Sequence, residues 1–366
     1  MTAPADATAV SAGSRRAAFH PLRVATVERL CDDAVAVTFD VPAELQPAYA
    51  FAPGQSVTVR RMLQGREERR SYSICAARGT RLRIGVREVP SGSFSTWLVR
   101  DVRPGDVIDV QTPTGSFTVD PSSGGRHVFV AAGSGITPVL SLAASLLAGS
   151  DARVTVLYGN RRTTTVMFAE ELGDLKDTYG PRFDLVHVLS REAREVELFS
   201  GRLDAQRIRL LLQTLVPLGE VDHFWLCGPF GMIADAQQVL SDLGVPRERI
   251  HAELFYVDEV PPDPARHEEL LTDGASSAVT LVMDGRRAVV SLPRSAPILD
   301  SAQRTRSDLP FACKGGVCGT CRARVTSGEV HMRRNYALED AEVAAGFVLT
   351  CQSLPVSDEV TLDYDA

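Results

Sequence analysis

The chain carries no surplus of positive charge: among its 366 residues, 39 Lys and Arg stand against 46 Asp and Glu, a formal net charge of -7. Nucleic-acid binding draws on a dense basic surface, so the composition argues against such a partner. No apolar run occurs in the first twenty residues, MTAPADATAVSAGSRRAAFH, which predicts a loose tail over 1–19, no anchor and a cytoplasmic protein. The stretch 128–150 lacks ionised side chains over a length that could cross a bilayer. Its centre, AAGSGITPV, would leave loop backbone unpaired in lipid, so it reads as strand, tight turn and helix, with no membrane span expected. Internal repeats, low-complexity segments and a Ser-His-Asp context are also missing. With 44% hydrophobic and 23% charged residues the chain is globular, and its length suits two or three domains.

Residues 20–122 read as short strands (LRVATVERL, AVAVTFDV, QSVTVRR, RSYSICA, LRIGVREV, DVIDVQTP) between Pro-Gly and Gly-rich turns, the pattern of an antiparallel barrel. From 123 to 256 strands alternate with helical stretches, which implies crossover units on a parallel sheet. Residues 257–277 hold three prolines and six acids against one arginine, the composition of an extended charged linker. The block 278–366 opens with a hairpin turning at Asp284-Gly285, followed by a short helix, a cysteine loop and further strands.

Seven cysteines are distributed unevenly. Cys31, Cys75 and Cys227 stand alone, whereas FACKGGVCGTC places four residues between Cys313 and Cys318 and two between Cys318 and Cys321, with Cys351 following after 29 intervening residues. This is the plant-type 2Fe-2S spacing, and Gly315, Gly316 and Gly319 suit a loop that folds tightly around thiolates. A zinc knot is the alternative, although zinc sites usually come as two short-spaced pairs.

Further motifs suit nucleotides. Strand HVFVAA runs into Gly133, Ser134, Gly135, Ile136, Thr137 and Pro138, with Thr137 expected as helix cap and Pro138 as first helical residue; a helix start behind glycines can hold a pyrophosphate or serve geometry alone. Ser190 and Arg191 follow the third parallel strand and could hold a ribose 2'-phosphate, favouring NADPH with NADH as the other candidate; Asn160, Arg161 and Arg162 form a second basic site near the same edge. Each arginine could equally be solvated surface. Cys227, Gly228 and Pro229 end a later strand at the ligand-binding edge, where a lone cysteine is more often a buried apolar residue. In the barrel, Arg70, Ser71, Tyr72 and Ser73 offer a cation, a ring and hydroxyls suited to a flavin dinucleotide, and Gly92, Ser93, Phe94 and Ser95 add a close backbone approach; alone, RSYS is a string that chance produces.

In this order the motifs resemble the ferredoxin-NADP reductase superfamily with a fused C-terminal ferredoxin domain. The resemblance implies a flavin-binding antiparallel β-barrel, a Rossmann-like parallel α/β nucleotide domain and a β-grasp ferredoxin domain. It implies FAD on Arg70 to Ser73, Val86, Arg87 and Gly92 to Ser95. It implies NAD(P)H on Gly133 to Pro138, Asn160, Arg161, Ser190, Arg191 and Cys227 to Pro229, with Phe255 covering the flavin. Four thiolates, Cys313, Cys318, Cys321 and Cys351, would hold the cluster, and Ser73, Cys227 and Glu253 would line the hydride-transfer site. The stretches LPFACKGGVCGTC, NYALED and AAGFVLTCQSLP look most like the reductase components of bacterial ring-1,2-phenylacetyl-CoA epoxidases, which implies a separate diiron oxygenase as partner. Reductases of steroid-ring or Rieske-type hydroxylases share the domain order, and a non-enzymatic iron-sulfur carrier or redox sensor is the reading from another class. The strings Glu220 to His223 and Glu248 to His251 have di-iron ligand spacing, but both precede short predicted strands, which argues against an oxygenase site in this chain.

Overall fold

The computed structural model describes residues 18–63, 66–90, 92–256, 275–306 and 308–366. The expected tail, up to residue 17, and most of the expected linker, 257–274, lie outside the described residues.

The first sheet consists of β1 (Phe19–Cys31), β2 (Ala34–Asp40), β3 (Ser56–Leu63), β4 (Arg66–Ser73), β5 (Arg83–Arg87) and β6 (Val107–Gln111), with helix α1 (Ser93–Arg100) between β5 and β6. The strands run antiparallel in the order β4-β3-β6-β1-β2-β5, and a bridge from Ile74 to Ile84 brings the two edges together into a barrel. Period-two alternation on β2 sends Val35, Val37 and Phe39 into the barrel core. Its opposite face carries Ala34 and Ala36, which share a core with the following domain. Small residues there let that domain pack closely. Gly85 serves the same purpose, since a Cβ on it would meet Thr137 Cγ2 at 2.6 Å and the Phe168 ring at 2.7 Å.

The second sheet comprises β7 (Arg126–Ala132), β8 (Arg153–Asn160), β9 (Phe183–Leu189), β10 (His223–Pro229) and β11 (Ile250–Tyr256), all parallel, in the order β11-β10-β7-β8-β9. Four helices connect them: α2 (Ile136–Gly149), α3 (Ala169–Tyr179), α4 (Ala205–Leu215) and α5 (Phe230–Asp242). Phe129, Ala131, Trp225 and Cys227 face α2 and α3, whereas Val128, Val130, Phe224 and Leu226 face α4 and α5. The chain reverses direction across the sheet between β7 and β10, so the turns after these two strands meet where open α/β sheets bind ligands. The apolar stretch 128–150 is strand, turn and helix, and among the described residues no helix is long and apolar enough to cross a membrane.

The C-terminal sheet has β12 (Ser276–Met283), β13 (Arg286–Pro293), β14 (Arg322–Ser327), β16 (Phe347–Leu349) and β18 (Glu359–Asp363), while β15 (Val330–Met332) pairs with β17 (Ser353–Pro355); short helices α6 (Ile298–Ala302) and α7 (Asp340–Ala344) flank it. The hairpin turns at Asp284-Gly285, both with positive φ, and the Asp365 carboxylate accepts from both backbone N–H groups. Strand β12 begins two residues before the expected start of this block. Between α6 and β14 lies the cysteine loop.

Candidate functional site

A cleft of about 1890 Å³ is lined by the barrel, by the parallel-sheet domain and by the cysteine loop and α7 segment of the C-terminal domain. Its barrel wall is Arg70, Ser71, Tyr72 and Ser73 at the end of β4, with Arg87 and Gly92 to Ser95. Its middle is Ser134, Trp225, Glu253 and Phe255, and its far wall includes Cys313, Gly315, Val317, Cys318 and Tyr336. Residues from opposite ends of the sequence thus line one space.

On the barrel side, Gly92 caps α1, and Ser95 Oγ accepts from the Val89 N–H at 3.0 Å while donating to the Gly92 carbonyl at 3.1 Å. The unpaired N–H groups of the first helical turn therefore open beside Ser93 and Phe94, and Arg70 stands exposed on the same wall, a donor set that fits a diphosphate. Tyr72 stacks on Phe94, ring centroids 6.3 Å apart, and burial raises its phenol above the ordinary range. Val86 does not reach the cleft; its side chain is fully buried in the barrel core. A flavin dinucleotide fits the remainder of this wall.

Ser73 Oγ donates to Glu253 Oε2 at 3.2 Å, joining barrel to β11 across 180 residues. Burial pushes the Glu253 carboxyl up to about 8, against the lowering effect of the Ser73 hydroxyl. Cys227 lies opposite Glu253 in the β10–β11 register, and burial, with the Glu253 charge adding to it, drives its thiol well above the usual value. The three residues expected at one site are neighbours, with Cys227 behind the surface.

The glycine loop departs from its expected form. Gly133–Gly135 form a single 3-10 turn, so α2 starts at Ile136 with Gly135 as its cap. Thr137 is inside the first turn, its hydroxyl donating to the Ser134 carbonyl at 2.9 Å, and Pro138 is the third helical residue, where an N–H is still unneeded. Gly135 packs directly on the β10 turn: a Cβ on it would meet the Cys227 carbonyl at 2.1 Å. Of this loop only Ser134 reaches the cleft. The two basic segments run side by side, the backbone N–H groups of Ser190 and Arg191 donating to the Asn160 and Arg161 carbonyls, each at 2.8 Å. Asn160 itself is buried where β8 ends, a polar side chain held at the edge of the sheet that binds ligands. Asp33, which no motif contains, bonds both Arg87 and Arg161 from the β1–β2 turn.

The four thiols are free and lie in two hydrogen-bonded pairs, Cys313 with Cys318 inside the cysteine loop and Cys321 with the distant Cys351. Positive φ at Lys314, Gly316 and Gly319 curls the backbone, and the Gly315 N–H donates to Cys313 Sγ at 3.3 Å. The Cys318 thiol and that N–H hold Cys313 below its usual value. Thr350 fastens the distant ligand, its hydroxyl donating to the Cys321 carbonyl at 2.9 Å. Four thiols arranged as two pairs, two for each iron, fit a two-iron cluster. His223 and His251 do meet, at 3.1 Å between ring nitrogens, but as neighbours on β10 and β11 and, among the described residues, without two further glutamates.

Comparison with known proteins gives the same three parts. Residues 21–119 match an oxidoreductase FAD-binding domain, 129–238 an oxidoreductase NAD-binding domain and 281–356 a 2Fe-2S iron-sulfur cluster binding domain. The chain is 40% identical to one of the subunits of 1,2-phenylacetyl-CoA epoxidase of Escherichia coli K12 over 353 residues, 95% of this chain and 98% of that one. It is 33% identical to the ferredoxin reductase component of 3-ketosteroid-9-alpha-monooxygenase of Mycobacterium tuberculosis, over 94% of this chain and 95% of that one. Phthalate dioxygenase reductase shares the fold, with a TM-score of 0.58 at 22% identity over 94% of this chain and 98% of that one. Identity at this level along nearly the whole length places the chain in a family: it belongs to the FAD- and NAD-binding reductase components that carry a C-terminal 2Fe-2S domain.

Proposed function

We propose that this reductase oxidises NADPH in the cytoplasm and delivers electrons singly to a diiron oxygenase that epoxidises the ring of phenylacetyl-CoA. The observation that supports the electron path is the continuous cleft from Tyr72 and Ser73 past Glu253 to Cys313 and Cys318. When bound, NADPH, FAD and a 2Fe-2S cluster supply hydride donation, two-electron storage and one-electron transfer; positioning is left to the chain. Arg70 and the start of α1 neutralise the flavin diphosphate. Tyr72 and Phe255, both lining the cleft, would hold the flavin ring and keep water from it. Ser73 and Glu253 would hold a proton between them at the hydride-transfer site, with Cys227 packed behind them. Gly133 to Pro138, Asn160 and Arg161, with Ser190 and Arg191, take the dinucleotide, the two arginines recognising its phosphates. We assign 20–122 to flavin binding, 123–256 to the dinucleotide and 278–366 to the cluster.

The 40% identity to the epoxidase component supports the choice of oxygenase, and reconstitution with a steroid or Rieske-type hydroxylase tests the other candidates. The path is tested by anaerobic stopped-flow absorbance of the iron-sulfur-replete protein mixed with NADPH or NADH. Flavin bleaching followed by cluster reduction, faster with NADPH, is the expected sequence. Silence of both chromophores toward both nucleotides would leave a carrier or sensor as the better reading.

A further inference from the structure

We propose that Arg69 is a positioning residue for internal electron transfer: its guanidinium, seated against the Phe311 ring, holds the cysteine loop at a fixed spacing from the strand that carries Tyr72 and Ser73. Arg69 lies on the barrel's edge strand, where an arginine ordinarily reaches solvent, yet it is only 7% exposed. Its Nε and Nη2 both donate to Glu67 Oε1 at 2.6 Å. Its Cζ lies 4.4 Å from the Phe311 ring centroid and 5.1 Å from that of Phe19, so a ring of the C-terminal domain and one of the barrel share the same cation. Phe311 belongs to the C-terminal core and precedes Cys313 by two residues, while Arg69 precedes Tyr72 by three.

Cation–π attraction strengthens when the cation is desolvated, and a planar guanidinium stacks where an ammonium cannot. Burial draws the Arg69 guanidinium below its ordinary value, but Glu67 opposes that and keeps it charged. Two further contacts to the C-terminal domain among the described residues differ in kind. Phe230 meets Tyr336 edge to face at 5.3 Å, a neutral contact without a polar anchor. Arg247 pairs with Asp340 at 3.2 Å with side chains 84% and 85% exposed, a pair that solvent screens almost completely. Among the described residues, the buried cation–π contact next to the cysteine loop is therefore Arg69 on Phe311, and electron transfer, which weakens steeply with separation, is the step that senses it.

This inference rests on the electron path proposed above. Its test uses the full chain carrying both cofactors. Arg69→Met keeps the stem without the charge, Arg69→Lys keeps the charge without the plane, and Phe311→Leu acts from the other side. The expected result is unchanged flavin bleaching by NADPH with cluster reduction slowed about tenfold in Arg69→Met, and Arg69→Lys between it and the parent. Hydrogen exchange supplies a readout independent of turnover. Peptides over 309–320 should exchange faster in Arg69→Met, and peptides over 66–73 faster in Phe311→Leu, while 321–325 and 347–351 keep their protection. Unchanged exchange in both segments overturns the proposal, as does flavin bleaching that slows in parallel with cluster reduction. A parent protein that fails to bleach its flavin sinks the electron path instead, and the exchange data then decide the docking contact by themselves.

Discussion

Glu253 illustrates how a residue's chemistry follows from its surroundings. A carboxyl raised from 4.5 in the unfolded chain to about 8 in the folded one holds a proton that unfolding releases throughout that window. Folding stability due to this group is therefore present below about pH 4.5 and lost progressively as the pH climbs through 8. Glu253→Gln removes the loss. Denaturant midpoints of parent and variant should coincide near pH 5 and separate in the variant's favour near pH 9; a pH-independent difference would mean that Glu253 is not the titrating group. Little of this is legible in HAELF, because the burial comes from the barrel and the hydrogen bond from Ser73, 180 residues away. The resemblance pointed to Glu253; the fold supplies the reason it titrates high. Asp33 is the opposite case. Nothing around it in CDDAV signals that its carboxylate will span Arg87 and Arg161.

At the scale of elements, the strands were readable wherever apolar alternation met Gly or Pro turns, and the parallel sheet wherever short apolar runs alternated with helical stretches. Helices α1, α4 and α7 were not anticipated. The α4 segment has a full start signal, with Asp204 accepting from the Arg207 N–H at 2.9 Å and Ile208, Leu211 and Leu212 on one face. By contrast α1 is only eight residues long and begins in a glycine-serine run that reads as loop, so its packing against the barrel decides it. The glycine loop carries the sharpest prediction here. A Cβ at Gly135 would lie 2.1 Å from the Cys227 carbonyl and 2.9 Å from the Gly228 nitrogen, both backbone atoms that cannot rotate away. Gly135→Ala should destabilise the protein by about 3 kcal/mol and raise KM for NADPH as α2 and the β10 turn move apart. Gly173→Ala, inside α3 with nothing within 4 Å of its new methyl, should instead stabilise by about 0.5–1 kcal/mol. Equal melting shifts for the two would mean that close approach is not what Gly135 provides.

Across the whole molecule, the cores divide unevenly. The barrel and the parallel sheet share one apolar cluster that runs from Ala34 and Ala36 through Phe117 to Trp225. The C-terminal core begins at Val279 and includes no described residue of the other two domains. Hydride uptake and single-electron export are consequently separable by one substitution. Cys351 is 2% exposed and held through Thr350 to the Cys321 segment, so Cys351→Ser deprives the cysteine loop of its distant thiolate and alters nothing in the shared core. The variant should lose the visible absorbance of its cluster and its ability to support an oxygenase, yet still bleach its flavin with NADPH and pass those electrons directly to ferricyanide at the parent's rate. If ferricyanide reduction disappears as well, the third domain is needed to complete the flavin site, and the contacts of Arg69 and Tyr336 would then hold the other domains in order as well as the cluster. If oxygenase turnover survives, electrons leave this protein from the flavin, and the two thiol pairs serve another purpose.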